Sequence, residues 1–176
     1  PGQRFCPMAT VDTNAIILNS PTKSFNIAGL QIANIICTNP EWHRRIDRAI
    51  NINEVCDVNP FGPVALKAAY DKSEEWIDEL NQYLWNNYQV LCDFVAKQLP
   101  LWKVMPLEGT YLVWVDVSAC CDSVVTYCNQ LMNEAKVWVN PGTMYGAESG
   151  KGYIRINIAC PQSRMLEALE RIKASV

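Results

Sequence analysis

"SPTKSFNIAGLQ", residues 20–31, sets one lysine in a polar turn between two apolar runs, "NAIILN" (14–19) before it and "LQIANIIC" (30–37) after it. Runs of this length bounded by turn residues read as strands over residues 13–19 and 29–37. Continuous apolar runs suit strands buried on both faces, in a parallel or mixed sheet covered by helices. Lys23 then stands at the end of a strand and not on a solvated helix face. Ser20, Thr22 and Ser24 surround it, and Gly29 closes the turn.

Outward from the turn, "NPEWHRRIDRAININ" opens with Asn39 as an N-cap and Pro40 at the first helical position, so a helix follows. "VNPFGP" (58–63) breaks it. From 63 to 99 the pattern is helical, with Trp76, Leu80, Tyr83, Leu84, Asn87, Leu91, Phe94 and Val95 recurring at steps of three and four along one face. Asp71, Glu74 and Glu75 at its start suit the positive end of the helix dipole. A helix this long links two lobes, which divides the chain into 1–70 (part of a first lobe), 71–99 (linking helix) and 100–176 (a small second lobe). In the last part "GTYLVWVDV", "VWVN" and "KGYIRINIA" read as strands. "CDSVVTYCNQLMNEA" and "PQSRMLEALERIKASV" read as helices, giving an α/β or α+β lobe with an open sheet.

At 176 residues and a formal charge of -3, the chain has no basic field for nucleic acid and no polybasic stripe for an anionic membrane. Its longest apolar runs are far too short to span a bilayer. The first ten residues, "PGQRFCPMAT", lack the apolar core of a secretory signal. Eight cysteines, at 6, 37, 56, 92, 120, 121, 128 and 160, form no CxxC pair. Several sit in apolar patterns, where cysteine behaves as a small hydrophobe, and a reducing, cytoplasmic location is expected. The single histidine, His43, lies on a charged helix. A metal site is therefore not expected, and a Ser-His-Asp or Cys-His triad would have only this residue to use.

A lysine that attacks an aldehyde must be held partly desolvated, because burial disfavours the ammonium and frees the amine. Neighbouring hydroxyls bind a phosphate without adding charge. A pyridoxal 5'-phosphate site needs both. "SPTKSFNIAGLQ" resembles the Schiff-base segment of fold-type-I pyridoxal-phosphate enzymes, in particular the cystathionine β-lyase-like (C–S lyase) branch of the aminotransferase superfamily. "AAYDKSEEWIDELNQYLWNN", "LEGTYLVWVDVS", "VNPGTMYG" and "GYIRINIACPQSRMLEALERI" resemble successive landmarks of the same branch in the same order, over essentially the whole chain.

The resemblance implies the C-terminal part of a fold-type-I transferase: the end of the large-domain sheet, a long linking helix and a small C-terminal domain. It implies that Lys23 holds the cofactor and shuttles the Cα proton, and that Ser20 and Thr22 bind its phosphate. Many aminotransferases of this fold have a phosphate-binding arginine eight residues after the lysine, where this chain has Gln31. Arg155 matches the arginine that clamps the substrate α-carboxylate. Strand alternation agrees, since Ile154 and Ile156 point to the face opposite its guanidinium, whose planar fork fits a carboxylate. Tyr145 and Met144 stand near the substrate entrance, as contacts or as packing residues. Asn59 is a candidate for a contact across a homodimer, and Tyr70 is expected in a helix core.

In the family, the acid on the pyridine nitrogen, the stacking ring and the glycine-containing phosphate loop all lie upstream of the lysine. Only 22 residues precede Lys23 here, and Asp12 is the only carboxylate among them. The chain thus resembles the C-terminal half of an enzyme, expected to be inactive without its N-terminal half. Three readings stay open: β-elimination of a sulfur leaving group, transamination with a 2-keto acid, and a non-catalytic fragment that binds a partner.

Overall fold

In the computed structural model, which describes residues 4–54 and 57–176, the chain divides into two units, one ending at Leu80 and the other running from Asn81 to Val176. Cys56 lies outside the described residues; the other seven cysteines are free thiols.

In the first unit, β1 (Ile17–Asn19) and β2 (Asn34–Ile36) pair antiparallel, with Ile17 opposite Ile36 and Asn19 opposite Asn34. Of the expected parallel or mixed arrangement, this antiparallel pairing excludes a purely parallel one and is one that a mixed sheet admits. A parallel pair needs a crossover of a dozen or more residues, usually helical. Here the connection holds only one 3-10 turn, Ala28–Leu30, and reverses the chain with Asn26 (φ 53°) and Gln31 (φ 48°) in the left-handed region. The pair is also uncovered, with Leu18 76% exposed and Ile35 and Ile36 exposed beside it.

Helix α1 (Pro40–Asn51) begins as its sequence dictates, the Asn39 side chain accepting from the N–H groups of Glu41 and Trp42. The helical stretch expected from 63 to 99 is two helices, α2 (Phe61–Lys72) and α3 (Glu74–Gln98). Ser73, at φ -125° and ψ 27°, leaves helical geometry and separates them. Residues 74–80 of α3 belong to the first unit and the rest to the second.

The second unit is an open-faced sheet of order β3-β4-β6-β5, every neighbouring pair antiparallel. Its strands are β3 (Lys103–Val104), β4 (Leu112–Asp116), β5 (Asn140–Pro141) and β6 (Tyr153–Asn157). The period of two sorts the faces: Val113, Val115 and Ile154 are fully buried on one, while Leu112, Trp114, Tyr153 and Arg155 lie half-buried on the other. The core is completed by α4 (Val124–Gln130) through Val124, Tyr127 and Cys128, by a π-helical turn (Leu131–Ala135), and by α5 (Gln162–Lys173) through Met165, Leu169 and Ile172. Buried Trp102 donates its indole N–H to the Tyr127 hydroxyl at 3.0 Å. Desolvation pushes the Tyr127 phenol up to about 12, so it stays neutral near neutral pH.

On α3 the buried positions are Leu84, Asn87, Leu91 and Val95, four of the eight read from the sequence; Leu80 and Phe94 are half-buried, and Trp76 and Tyr83 are exposed. Asn87 is 0% exposed and the only buried polar side chain among the described residues. Its amide donates to the carbonyls of Ile158 (2.9 Å) and Cys160 (3.0 Å), tying α3 to the chain that leaves β6. Asn87→Leu strips a buried donor from both carbonyls and should lower stability by about 1–3 kcal/mol. Urea unfolding at unchanged m-value reads this directly; a midpoint equal to wild type would show that the tie contributes nothing.

Candidate active site

The lysine turn is built by what its neighbours bury. Pro21 is fully buried. Phe25 stacks on Trp76 (ring centroids 5.8 Å, 25°) and meets Tyr70 edge-on (6.0 Å, 85°). The backbone closes with Phe25 N–H donating to Pro21 O (2.9 Å) and Ile27 N–H to Thr22 O (3.0 Å). At the start of α2, a Cβ on Gly62 would lie 3.1 Å from Ile32 Cβ, so any larger residue would press on the turn and need it to shift by a few tenths of an ångström. Tyr70 is exposed, not in a helix core as expected, and its hydroxyl donates to Asn19 Oδ1 at 2.6 Å.

With Pro21 and Phe25 turned inward, Lys23 points outward and is exposed. The partial desolvation expected of it is not supplied by the described residues, and its amine has no hydrogen-bond or ion-pair partner among them. Ser20 Oγ lies 2.7 Å from Ile32 O and 2.9 Å from Thr22 Oγ1, and accepts from Thr22 N–H at 3.2 Å. Both hydroxyls, three residues and one residue before the lysine, are therefore already ordered. Gln31 is exposed. Asn59 is exposed, and its Oδ1 accepts from Phe61 N–H (2.9 Å), an N-terminal cap for α2. Asp12 is committed to a local turn, its Oδ1 accepting from Asn14 N–H at 2.8 Å.

Arg155 stands in the second unit, on the open face of the sheet, directly opposite Trp114 of β4 and Asn140 of β5. Its Cζ lies 4.0 Å from the centroid of the Tyr145 ring. The Tyr145 hydroxyl accepts from Asn140 Nδ2 (3.0 Å), and Trp114 meets the same ring edge-on at 5.5 Å and 88°. The ion pairs among the described residues are Lys151–Glu148, Arg171–Glu167 and Lys173–Glu170, so no carboxylate there claims Arg155. Arg155 lines a cavity of about 300 Å³ together with Leu112, Trp138, Val139, Asn140 and Asn157. A second cavity, about 450 Å³, is lined by Met105, Trp114, Tyr145, Ser149 and Tyr153. Met144 is exposed beside Tyr145.

The sequence reading missed Trp114 and Asn140. The alternation in "LVWVD" places Trp114 on the face opposite Val113 and Val115, but nothing local reveals which strand lies beside it. Among the described residues, the available chemistry is an amine with no hydrogen-bond or ion-pair partner, two hydroxyls in the same turn, and a guanidinium stacked on Tyr145 with no carboxylate paired to it. The amine suits the aldehyde of pyridoxal phosphate and the hydroxyls suit its phosphate.

The sequence matches the model of the aminotransferase class I and II family over residues 3–172. It is 32% identical over 179 residues to cystathionine beta-lyase PatB of Bacillus subtilis, covering 99% of this chain and 46% of that protein. Among solved structures, the pyridoxal-phosphate-bound C–S lyase of Staphylococcus hominis superposes with TM-score 0.86 at 34% identity, over 99% of this chain and 46% of the other. Cystalysin from Treponema denticola, which contains pyridoxal 5'-phosphate, superposes with TM-score 0.94 at 28% identity, over 99% and 45%. The chain thus spans about half the length of the relatives it matches, and over that part it has their α/β fold.

Proposed function

This chain belongs to the aminotransferase class I and II family, and on that premise we propose that it carries the lysine and the substrate clamp of a pyridoxal-phosphate-dependent C–S β-lyase of the cystathionine β-lyase type. The observation that carries the reading is Arg155, a guanidinium held on an open sheet face with no carboxylate partner among the described residues. Such a fork is suited to the α-carboxylate of an amino acid, bound through two parallel N–H···O bonds. Lys23 Nζ, with no hydrogen-bond or ion-pair partner among the described residues, would hold the cofactor aldehyde and, once the substrate amine displaces it there, would take the Cα proton and hand it to the departing sulfur. Ser20 and Thr22 donate to phosphate oxygens, which requires the Ser20 hydroxyl to turn away from Ile32 O. Pyridoxal phosphate, when bound, supplies the electron sink for the pair left at Cα.

The chain spans under half of its relatives' length. The acid for the pyridine nitrogen, the stacking ring and the remaining phosphate donors are therefore assigned to an upstream half, without which the chain is inactive. Val58, Phe61 and Val64, exposed beside Asn59, support a homodimer contact there. Among the described residues no helix is long and apolar enough to cross a membrane. The free thiols support a reducing, cytoplasmic setting.

Transamination is the second reading, favoured by the family's own description. The two reactions separate by products. Joined to an upstream half like that of its relatives and given L-cystathionine, the protein should release pyruvate, ammonia and homocysteine in equal amounts with no keto acid added. Amino-group transfer that needs added 2-oxoglutarate would select the aminotransferase instead.

A further inference from the structure

Arg155 is flexible by chemistry and fixed by its neighbours. Its two cross-strand partners, Trp114 and Asn140, come from strands on either side of β6. Tyr145, from the loop after β5, bridges over all three: its ring lies beneath the guanidinium, its hydroxyl accepts from Asn140, and Trp114 packs on its edge. The loop that delivers it is itself constrained. Tyr145 N–H donates to Gly142 O at 2.8 Å. A Cβ on Gly142 would collide with Gly150 O and lie 2.8 Å from Tyr153 O, and one on Gly150 would collide with Gly142 O. Only glycines at both positions let the two backbone segments cross, so the ring is held from three directions although it is 47% exposed.

We propose that Tyr145, buttressed by Asn140 and Trp114, is the positioning residue that pre-orients Arg155 for a carboxylate; this rests on the reading of Arg155 as the substrate clamp. An aromatic ring attracts a cation to its face. A carboxylate binds a guanidinium at its in-plane N–H edge. The two contacts use different parts of one group and do not compete. The stack spends the guanidinium's rotational freedom before the ligand arrives, which raises affinity by reducing what binding must order. Tyr145 therefore acts through Arg155 and need not touch the substrate.

The test uses the 176-residue chain labelled with 15N, following the Arg155 Nε–H signal by NMR, with sodium acetate as the carboxylate probe. In wild type the signal should carry the ring-current shift of a stacked guanidinium and the relaxation of a rigid one. Tyr145→Leu should abolish both. Tyr145→Phe, which keeps the ring and loses only the Asn140 bond, should retain the shift with part of the rigidity lost. Acetate should move the signal, and half-saturation in Tyr145→Leu should need about 2- to 5-fold more acetate than in wild type. A signal unmoved by Tyr145→Leu, or equal acetate affinity in the two proteins, overturns the proposal. If acetate leaves wild-type Arg155 unmoved, the carboxylate reading is what fails, and the shift and relaxation of Tyr145→Leu still decide whether Tyr145 orders the side chain.

Discussion

Arg155→Ala, made in the protein joined to an upstream half, should reduce kcat/KM for amino-acid substrates by roughly 30-fold to several thousand-fold while cofactor retention stays near wild type. The magnitude follows from deleting one partner of a charge-assisted bidentate pair, about 2 to 5 kcal/mol. It should exceed the effect of an ordinary surface arginine because no internal carboxylate among the described residues already neutralises the group. The defect should fall mainly on substrate binding and orientation. Arg155→Lys should recover little of it, since an ammonium keeps the charge but loses both the planar fork and the stack on Tyr145. The Ala variant is expected to fold, because the strand is held by Ile154 on the buried face and by its backbone pairing to β4 and β5. Steady-state kinetics beside cofactor absorbance decide the matter; an unaltered kcat/KM would make Arg155 a bystander on the sheet face.

Lys23→Ala should strike the chemical step itself, lowering kcat by about 10²- to 10⁴-fold, as expected when the group that moves the Cα proton is removed. In the wild-type protein with pyridoxal phosphate, borohydride should fix the cofactor irreversibly on the peptide containing Lys23. The same treatment of the variant should leave that peptide unlabelled. The turn should survive the substitution, since Pro21, the Phe25 stack and the Ser20 to Ile32 bond hold it without the lysine side chain. Label found on Lys67 or Lys72, the lysines of neighbouring α2, would overturn the assignment.

What could be read directly was whatever a few adjacent residues encode. Asn39 followed by Pro40 fixed a helix start because a cap bond reaches only two or three residues ahead. The three- and four-residue steps from Leu84 to Val95 fixed the buried stripe of α3, Asn87 included. The alternation in "YIRIN" put Arg155 on the face opposite Ile154. Where competing local signals were nearly balanced the reading slipped: the linking helix was placed from 71, whereas Ser73 breaks helical geometry and α3 begins at Glu74, and the two-residue strand β3 left no pattern long enough to see.

The sequence by itself determined the α/β class, the faces of the long helix and of β6, and the two cations, Lys23 and Arg155, on which the functional reading stands. Periodicity, capping and turn chemistry act over a few residues and survive without knowledge of the rest of the chain. Only the tertiary structure decided that β1 and β2 run antiparallel, that Lys23 points outward while Phe25 locks the turn from within, and that Tyr145, Asn140 and Trp114 close around Arg155. Those outcomes depend on partners distant in the chain. Strand register and the direction of a loop bring such partners together, and no local pattern specifies either one.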